Sequence, residues 1–186
     1  AAVAGVVPVG QVGAARSAVC GKLGRPGRGQ PGGQGAAVGR AGVARVLVVT
    51  VVNAVGVVVG RQGRVVRGNR NPETGERSHL TAEEMAFGHQ RQQERFAAGP
   101  PATTLTVVVT DARIRGRDLA QLARQIHASM ARAIHPFHCT GDGDTLWFAT
   151  TGEGPVLNQR LELPAVRRDG TALVVELIAV PMGHEG

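Results

Sequence analysis

A long run of β-branched residues constrains the fold more than any other feature of the chain. Residues 43–60 have the sequence VARVLVVTVVNAVGVVVG, in which Arg45 and Asn53 interrupt two valine-rich blocks. Valine is stiff about χ1 and packs well on a pleated surface, so it favours strands over helices. The two polar residues argue against a membrane span. The run therefore predicts two buried strands, which other elements of the chain have to cover.

The composition predicts one domain with an aliphatic core. The chain has 186 residues, of which 42% are hydrophobic, but only four are Phe, one is Trp and none is Tyr. A chain of ~150 residues buries about 68–70% of the surface that it exposes when unfolded. We therefore expect residues 1–186 to form a single domain built on Val, Leu and Ala.

The charge pattern disfavours nucleic acid as a partner. The formal net charge is +7 and would suit a polyanion. The arginines, however, are scattered from Arg16 to Arg168 without a block, and the chain has few aromatic side chains on which bases could stack. Cys20 and Cys139 belong to no CxxC pair, and residues 1–10 lack the basic start of a signal peptide. These features favour a cytoplasmic protein without membrane association.

Glycine divides the first third of the chain. Residues 21–42 are so rich in Gly that we expect a loop or closely packed turns there. Residues 44–59 and 64–67 are strand-like and are joined by GRQG, which has the glycines that a tight connection needs. This part of the chain therefore predicts a strand pair after a glycine-rich loop.

A polar segment follows and contains a helix signal. Residues 69–101 show no strand pattern and end in two prolines. Within them, Thr81 and Glu84 have the spacing of a capping box, in which each side chain bonds the backbone N–H of the other. We expect a surface helix over residues 82–97.

The second half of the chain alternates strand and helix. Residues 104–112 predict a strand, residues 142–150 a turn running into a strand, and residues 171–180 a last strand. Residues 117–134 predict an amphipathic helix. Its apolar face consists of Leu119, Leu122, Ile126, Met130 and Ala133. Two strand layers with helices outside them are the simplest packing for these elements.

Paired threonines open the strand that follows the polar segment. The sequence PPATTLTVVV, residues 100–109, places Thr103 and Thr104 directly before a valine run. If the chain cleaved itself after Ala102, the new α-amino group of Thr103, with a pKa of about 7.7–8.0, could accept the proton of its own hydroxyl. The alternative is a threonine pair that satisfies turn hydrogen bonds at a strand edge. The pattern alone leaves both interpretations open.

Two longer segments resemble a known family of amide hydrolases. They are GQGAAVGRAGVARVLVVTVVNAVGVVVGRQGRVVRGNRNPETGE and ATTLTVVVTDARIRGRDLAQLARQIHASMARAIHPFHCTGDGDTLWFATT. They are similar to the nylon-oligomer hydrolases, which are endo-acting 6-aminohexanoate oligomer amidases. These enzymes belong to a wider family of self-cleaving aminopeptidases that includes the D-aminopeptidase/esterase and the β-peptidyl aminopeptidases. The similarity extends over roughly residues 10–153.

The resemblance implies a fold and a maturation step. The implied fold is α/β (α+β), an αββα sandwich like that of N-terminal nucleophile hydrolases, incomplete in this chain. Members of the family cut themselves before a Ser or Thr, and the two pieces stay together. Residues 1–102 would then be the α-subunit-like part and residues 103–186 the β-subunit-like part. The family also implies a homo-oligomer of cleaved heterodimers, and neither a metal nor an organic cofactor.

Carried over by residue, the resemblance makes Thr103 the nucleophile and Thr104 a packing residue. Asp142 and Asp144, in DGDT, match the acidic pair of the family. One carboxylate would hold the hydroxyl or ammonium of Thr103, and the other would fix its partner. The alternative for this pair is an Asx turn that enters a strand.

Asn53 and Lys22 complete the implied site. Asn53 matches an Asn of the family that donates to the developing oxyanion, which can be worth about 2.7–4 kcal/mol; from the sequence alone, this Asn closes a bulge or faces a cavity. Lys22 is the only lysine in a chain with 20 arginines. One interpretation is that this position accepts an ammonium but not a guanidinium; the other is chance. His135 and His138 lack the partners of a zinc site, and we interpret them as ordinary loop residues.

The sequence departs from the family in two ways. The residue before the cleaved bond is usually Asn, whereas this chain has Ala102; the acyl shift attacks the carbonyl and needs no side chain there, so we expect slower cleavage. The long N-terminal segment of the family is missing before Ala1, and residues after Gly152 match poorly. We therefore expect a fragment or a domain that needs a partner chain.

The implied activity is hydrolysis of linear amides such as 6-aminohexanoate oligomers. One alternative is an aminopeptidase of the same family that acts on peptides or β-amino amides. Another is an inactive, uncleaved fragment that only binds other molecules.

Overall fold

The structure, a computed structural model, describes residues 7–95, 102–139, 142–152, 160–166 and 172–178. The strands of these ranges, in chain order, are β1 (Val19–Cys20), β2 (Gln30–Pro31), β3 (Gly33–Ala41), β4 (Ala44–Asn53), β5 (Val57–Val59), β6 (Val65–Arg67), β7 (Thr103–Thr110), β8 (Ile134–His135), β9 (Thr145–Thr150), β10 (Arg160–Val166) and β11 (Ala172–Ile178). The α-helices are α1 (Ala82–Arg95) and α2 (Gly116–Ser129), and the short 3₁₀ helices are η1 (Gly13–Ala15) and η2 (Met130–Arg132).

The largest sheet has the strand order β3-β4-β7-β9. β4 pairs antiparallel with β3 and β7, whereas β7 pairs parallel with β9. Alternate residues of β7 are buried on one face of this sheet, namely Thr104, Thr106, Val108 and Thr110. The intervening residues, beginning with Thr103, are half-buried on the opposite face. β7 therefore lies between β4 and β9, with its first residue on the more open face.

A second sheet has the strand order β6-β5-β8 and begins where the chain leaves β4. The chain leaves β4 at Asn53 and enters β5 at Val57, and these two strands are the pair expected from the valine run. The core at this junction contains Leu23, Val55, Val57, Leu80 and Ala102. Because Ala102 belongs to this core, the start of β7 is anchored by apolar packing.

The expectation of a glycine-rich loop over residues 21–42 is wrong for its second half. β2 and β3 occupy residues 30–31 and 33–41, and β3 pairs with β4 along its whole length. Most of β3 is exposed, with few side chains to pack. Its backbone hydrogen bonds to the valine-rich β4 outweigh the poor strand propensity of glycine.

The capping box and the surface helix are confirmed. The backbone N–H of Thr81 donates to Glu84 Oε2 and the N–H of Glu84 donates to Thr81 Oγ1, each at 3.1 Å. Helix α1 runs to Arg95, and residues 96–97 of the predicted helix lie outside the described residues. The hairpin across residues 60–63 is also confirmed, since β5 pairs with β6.

The second predicted helix ends earlier than expected. α2 stops at Ser129 and packs against β9, and η2 follows it. Ile134 then enters β8, where it pairs with Val58 and is 2% exposed. Burial of Ile134 in the second sheet therefore overrides the helical spacing of the sequence.

The three strands predicted in the second half of the chain are present. β9 falls within its predicted strand, β7 begins at Thr103, one residue before its predicted strand, and β11 confirms the last one. β10, which pairs antiparallel with β11, was not expected from the sequence. The structure is thus an α+β arrangement of mixed sheets with few helices, and the αββα sandwich stays a prediction. No helix in the described ranges is long and apolar enough to cross a membrane.

Candidate active site

Thr103 is the first residue of β7 and lies against the carbonyl group that precedes it. Its Oγ1 donates a hydrogen bond of 2.6 Å to the carbonyl oxygen of Ala102. Ala102 is 4% exposed and forms a parallel bridge with Asp142, in line with the β7–β9 pairing. The hydroxyl therefore sits beside the bond that the sequence predicts to be cut.

The same carbonyl oxygen accepts a second hydrogen bond. The backbone N–H of Gly143 donates to the Ala102 oxygen at 2.9 Å. Gly143 also lies close to the threonine side chain, since a Cβ at residue 143 would be 2.9 Å from Thr103 Oγ1. The chain segment that leads into β9 thus contacts both the hydroxyl and the carbonyl.

Asn53 lies on the other side of Thr103. The two residues are direct partners in the antiparallel β4–β7 ladder, so their side chains share one face of the sheet. Asn53 Oδ1 accepts hydrogen bonds from the backbone N–H of Val19 at 3.0 Å and from Lys22 Nζ at 2.9 Å. Only the oxygen of an amide can accept from two donors, so these bonds fix which end of the amide is Nδ2. The regular register also shows that Asn53 does not close a bulge.

Lys22 ties the amide of Asn53 to the backbone. Its Nζ also donates to the carbonyl oxygen of Asn53 at 2.8 Å. Burial lowers the pKa of Lys22, and the charges of Asp142, Cys20 and Asp144 oppose that change. The ammonium is therefore partly desolvated and lies within electrostatic reach of both carboxylates.

Asp142 has a half-buried carboxylate with one oxygen left without a partner among the described residues. Its Oδ2 accepts from the backbone N–H of Cys139 at 3.2 Å, whereas its Oδ1 is buried and has no hydrogen-bond partner among the described residues. Burial, followed by the charge of Asp144, raises the pKa of Asp142 from 3.8 to about 6. Asp142 can therefore exchange a proton near neutral pH.

Asp144 has a different environment. Its Oδ1 accepts from the backbone N–H of Thr104 at 2.5 Å, and its Oδ2 accepts from the backbone N–H of His138 at 3.0 Å. Its side chain is 1% exposed, and His138 Nδ1 lies 3.8 Å from Oδ2. Asp144 thus joins the start of β7 to the segment before β9. Its hydrogen-bond partners, His138 and Thr104, are not the local backbone groups that an Asx turn would use.

The structure brings the five predicted site residues together at one end of the largest sheet. Thr103 lies between Asn53 on β4 and the Asp142–Asp144 segment, and Lys22 holds Asn53. Thr104, interpreted as a packing residue, is 1% exposed. Within the described ranges, no three His, Cys, Asp or Glu side chains are grouped so that they could hold a metal ion.

Two neighbours of the site were missed from the sequence. The sequence indicates an ordinary loop residue at His138, but its backbone N–H donates to Asp144 and its ring nitrogen lies 3.8 Å from the same carboxylate. Gly143 has no role in the sequence analysis, although it lies close to Thr103 and donates a hydrogen bond to Ala102. The glycine of the DGDT motif is the available signal, because glycine allows another part of the chain to approach the backbone closely.

Comparisons with known proteins agree with the resemblance found in the sequence. The pattern of peptidase family S58 matches residues 1–178. Over 99 residues, 53% of this chain, the sequence is 44% identical to a putative NylC-analogous protein of Agromyces sp. (strain KY5R), of which the match covers 31%. Over the same length it is 44% identical to the 6-aminohexanoate-oligomer endohydrolase of Paenarthrobacter ureafaciens and 43% identical to that of Kocuria sp. (strain KY2), covering 27% of each. The match therefore spans less than a third of the length of these relatives.

Proposed function

The chain belongs to peptidase family S58, and we propose that it is an amide hydrolase that cuts its own Ala102–Thr103 bond and then uses Thr103 as an N-terminal nucleophile. Its proposed substrates are linear amides, first of all 6-aminohexanoate oligomers, because relatives that are 43–44% identical have the name 6-aminohexanoate-oligomer endohydrolase. The observation that carries the proposal is the 2.6 Å contact between Thr103 Oγ1 and the carbonyl oxygen of Ala102.

Self-cleavage begins with attack of Thr103 Oγ1 on the carbonyl carbon of Ala102. The hydroxyl proton passes to Asp142, whose pKa of about 6 leaves it mostly ionised at neutral pH. The C–N bond then breaks, and the nitrogen of Thr103 takes up the proton and leaves as an amine. The product is an ester between Ala102 and Thr103 Oγ1. Water hydrolyses this ester to the carboxylate of Ala102 and the free hydroxyl of Thr103.

The two pieces, residues 1–102 and 103–186, stay associated after this cut in our proposal. The β4–β7 ladder supports this association, because residues 46–53 of the first piece pair with residues 103–110 of the second. The ladder does not depend on the cleaved bond. Valine packing on both strands adds apolar contact to its hydrogen bonds.

Amide hydrolysis then uses the new terminus of Thr103. Its α-amino group, with a pKa of about 7.7–8.0 in model compounds, takes the hydroxyl proton as Oγ1 attacks the substrate carbonyl. Nδ2 of Asn53 donates to the oxyanion, and Lys22 holds the amide of Asn53 in the required orientation. Asp144 fixes the start of β7 through the N–H of Thr104. Water releases the acyl group and restores Thr103.

Intact mass after expression tests the proposal. The parent chain should appear as two pieces divided between Ala102 and Thr103, and Thr103→Ala should appear as one uncut chain. Thr104→Val is a matched control, because Thr104 Oγ1 is buried and has no hydrogen-bond partner among the described residues. This control should be cut like the parent. The cut protein should also release shorter oligomers from a 6-aminohexanoate oligomer, which chromatography detects.

An aminopeptidase of the same family is the second candidate, because the chain belongs to a peptidase family. It would release single residues from the N-terminus of a peptide or β-amino amide, whereas the proposed endohydrolase produces internal fragments. Chromatography of the earliest products separates the two activities. A parent that stays intact at 19.3 kDa would instead support the inactive binding fragment and would contradict both enzymes.

A further inference from the structure

We propose that the backbone N–H of Gly143 stabilises the oxyanion of the self-cleavage step, and that residue 143 is glycine because the Thr103 hydroxyl occupies the place of its side chain. The inference rests on the proposed function, since it concerns the step that creates the N-terminal threonine. It assigns a further functional group to that step, at a residue to which neither the sequence nor the comparisons gave a role.

The hydrogen bond of Gly143 already points at the atom on which charge develops. Its N–H donates to the carbonyl oxygen of Ala102 at 2.9 Å in the uncut chain. This oxygen becomes an alkoxide when Oγ1 attacks the carbonyl carbon, and a donor that is already in place strengthens without reorganisation. The other hydrogen bond to this oxygen comes from Thr103 Oγ1 itself, and it is lost when the hydroxyl gives up its proton.

The neighbours of Gly143 hold its N–H in position. Asp142 bridges Ala102 and accepts from the backbone N–H of Cys139. Asp144 accepts from the backbone N–H of Thr104. Residue 143 is therefore held on both sides by bonds that align it with the start of β7, and such preorganised donors have the largest effect on a developing charge.

Gly143 and Asn53 flank Thr103 from opposite sides of β7. Asn53 pairs with Thr103 from β4, whereas Gly143 approaches from the segment that leads into β9. The carbonyl oxygen of Ala102 accepts its hydrogen bond from Gly143, which lies on the β9 side of Thr103. In this proposal the two steps have separate oxyanion donors. The N–H of Gly143 serves the carbonyl of Ala102 during self-cleavage, and Nδ2 of Asn53 serves the substrate carbonyl, which reaches Thr103 from the other side.

The space around Gly143 explains the second part of the inference. A Cβ at residue 143 would lie 2.9 Å from Thr103 Oγ1 and 3.6 Å from the Ala102 oxygen. Gly143 is otherwise exposed, so the hydroxyl is the atom that a side chain would displace. At Gly35 and Gly39 of β3, by contrast, an added Cβ meets no atom within 4 Å.

Two substitutions separate the N–H from the missing side chain. Gly143→Ala adds a Cβ and keeps the N–H, whereas Gly143→Pro adds a Cβ and removes the N–H. We expect Gly143→Ala to be cut more slowly than the parent, and Gly143→Pro to be cut about 10²–10³-fold more slowly than Gly143→Ala, which is the usual effect of losing one oxyanion donor. Gly35→Ala, the matched control, should be cut at the parental rate. Rates are measured by mass spectrometry of freshly refolded chains.

A spectroscopic measurement tests the hydrogen bond without any activity. In isotope-labelled Thr103→Ala, which stays uncut, we expect a through-hydrogen-bond NMR coupling between the nitrogen of Gly143 and the carbonyl carbon of Ala102. Couplings across the β7–β9 ladder serve as the internal reference. If Gly143→Pro fails to fold, this coupling decides the question alone.

Each outcome has a distinct meaning. Equal cleavage rates of Gly143→Pro and Gly143→Ala would overturn the role of the N–H, and so would the lack of a Gly143–Ala102 coupling when the reference couplings are present. Parental cleavage of Gly143→Ala would overturn the role of the missing side chain. All three results leave the proposed function intact if the parent is cut, whereas an uncut parent refutes the proposed function itself.

Discussion

Replacing Asn53 by Asp separates the structural role of this side chain from its proposed catalytic role. Asn53 Oδ1 accepts from the N–H of Val19 at 3.0 Å and from Lys22 Nζ at 2.9 Å. An aspartate of the same shape keeps this oxygen for both donors but replaces the donor Nδ2 by a second acceptor oxygen. Asn53→Asp should therefore fold like the parent and lose the oxyanion donor.

The expected magnitudes differ for stability and activity. Loss of one preorganised donor costs about 2.7–4 kcal/mol of transition-state stabilisation, or about 10²–10³-fold in kcat. The melting temperature of Asn53→Asp should stay within about 3 °C of the parent, because both donors keep an acceptor and the bond from Lys22 becomes charge-assisted. Asn53→Ala is the comparison variant, because it loses both acceptor contacts. At about 1–3 kcal/mol for each unsatisfied donor, its melting temperature should fall by at least about 4 °C.

The assay measures hydrolysis of a soluble 6-aminohexanoate oligomer by chromatography. Rates are normalised to the amount of cut chain, as determined by intact mass, so that slow maturation is not counted as slow catalysis. Stability is measured by thermal unfolding. An Asn53→Asp protein that hydrolyses the oligomer within about threefold of the parent would refute the role of Nδ2. Equal melting temperatures of Asn53→Asp and Asn53→Ala would refute the role of Oδ1.

Two further predictions concern Asp142 and the start of α1. The pKa of Asp142 is raised from 3.8 to about 6. Between about pH 4 and pH 6 the native chain therefore keeps a proton that the unfolded chain has released. Because of this difference, Asp142 makes the free energy of unfolding fall as the pH rises through that window. In the uncut Thr103→Ala background, Asp142→Asn should remove this part of the pH dependence in urea unfolding. If the free energy of unfolding changes with pH in the same way with and without Asp142→Asn, the pKa of Asp142 is not raised in the folded chain. Thr81→Ala should lower the free energy of unfolding by about 0.5–2 kcal/mol, because it removes the hydroxyl that accepts from the N–H of Glu84. Thr74→Ala, which loses only the longer 3.3 Å contact with the N–H of Glu76, should cost less in the same urea titration, and an equal cost would contradict the capping box.

Several elements could be predicted from the sequence because their causes are local. The stiffness of valine determines the strands of residues 44–53 and 57–59 wherever they lie in the fold. The capping box of Thr81 and Glu84 involves residues only three positions apart, so its hydrogen bonds form within the first turn of the helix. Elements of this kind need no information from distant parts of the chain.

Other elements depended on partners that are distant in sequence. β3 is a strand because β4 supplies its hydrogen bonds, although its own glycines favour a loop. α2 ends before Ile134 because that side chain is buried in the second sheet. No local pattern contains either cause, so both predictions were wrong.

The candidate site divides in the same way. The residue types of Thr103, Asp142, Asp144, Asn53 and Lys22, and their resemblance to a known family, were visible in the sequence. The sequence did not distinguish the tasks of the two acids, because each is an aspartate beside the same glycine. Their different hydrogen-bond partners arise from the positions of residues 138–139 and of β7, which only the folded chain defines.

The sequence by itself determined that this chain forms valine-rich strands and carries the side chains on which the proposed amide hydrolysis depends, because strand propensity and functional groups are properties of single residues. The tertiary structure alone decided that the hydroxyl of Thr103 lies between the amide of Asn53 and the backbone of Gly143. The physical reason is register: β7 is aligned with β4 on one side and β9 on the other by long-range hydrogen bonds and packing. A shift of one residue in either ladder would turn these groups to opposite faces of the sheet.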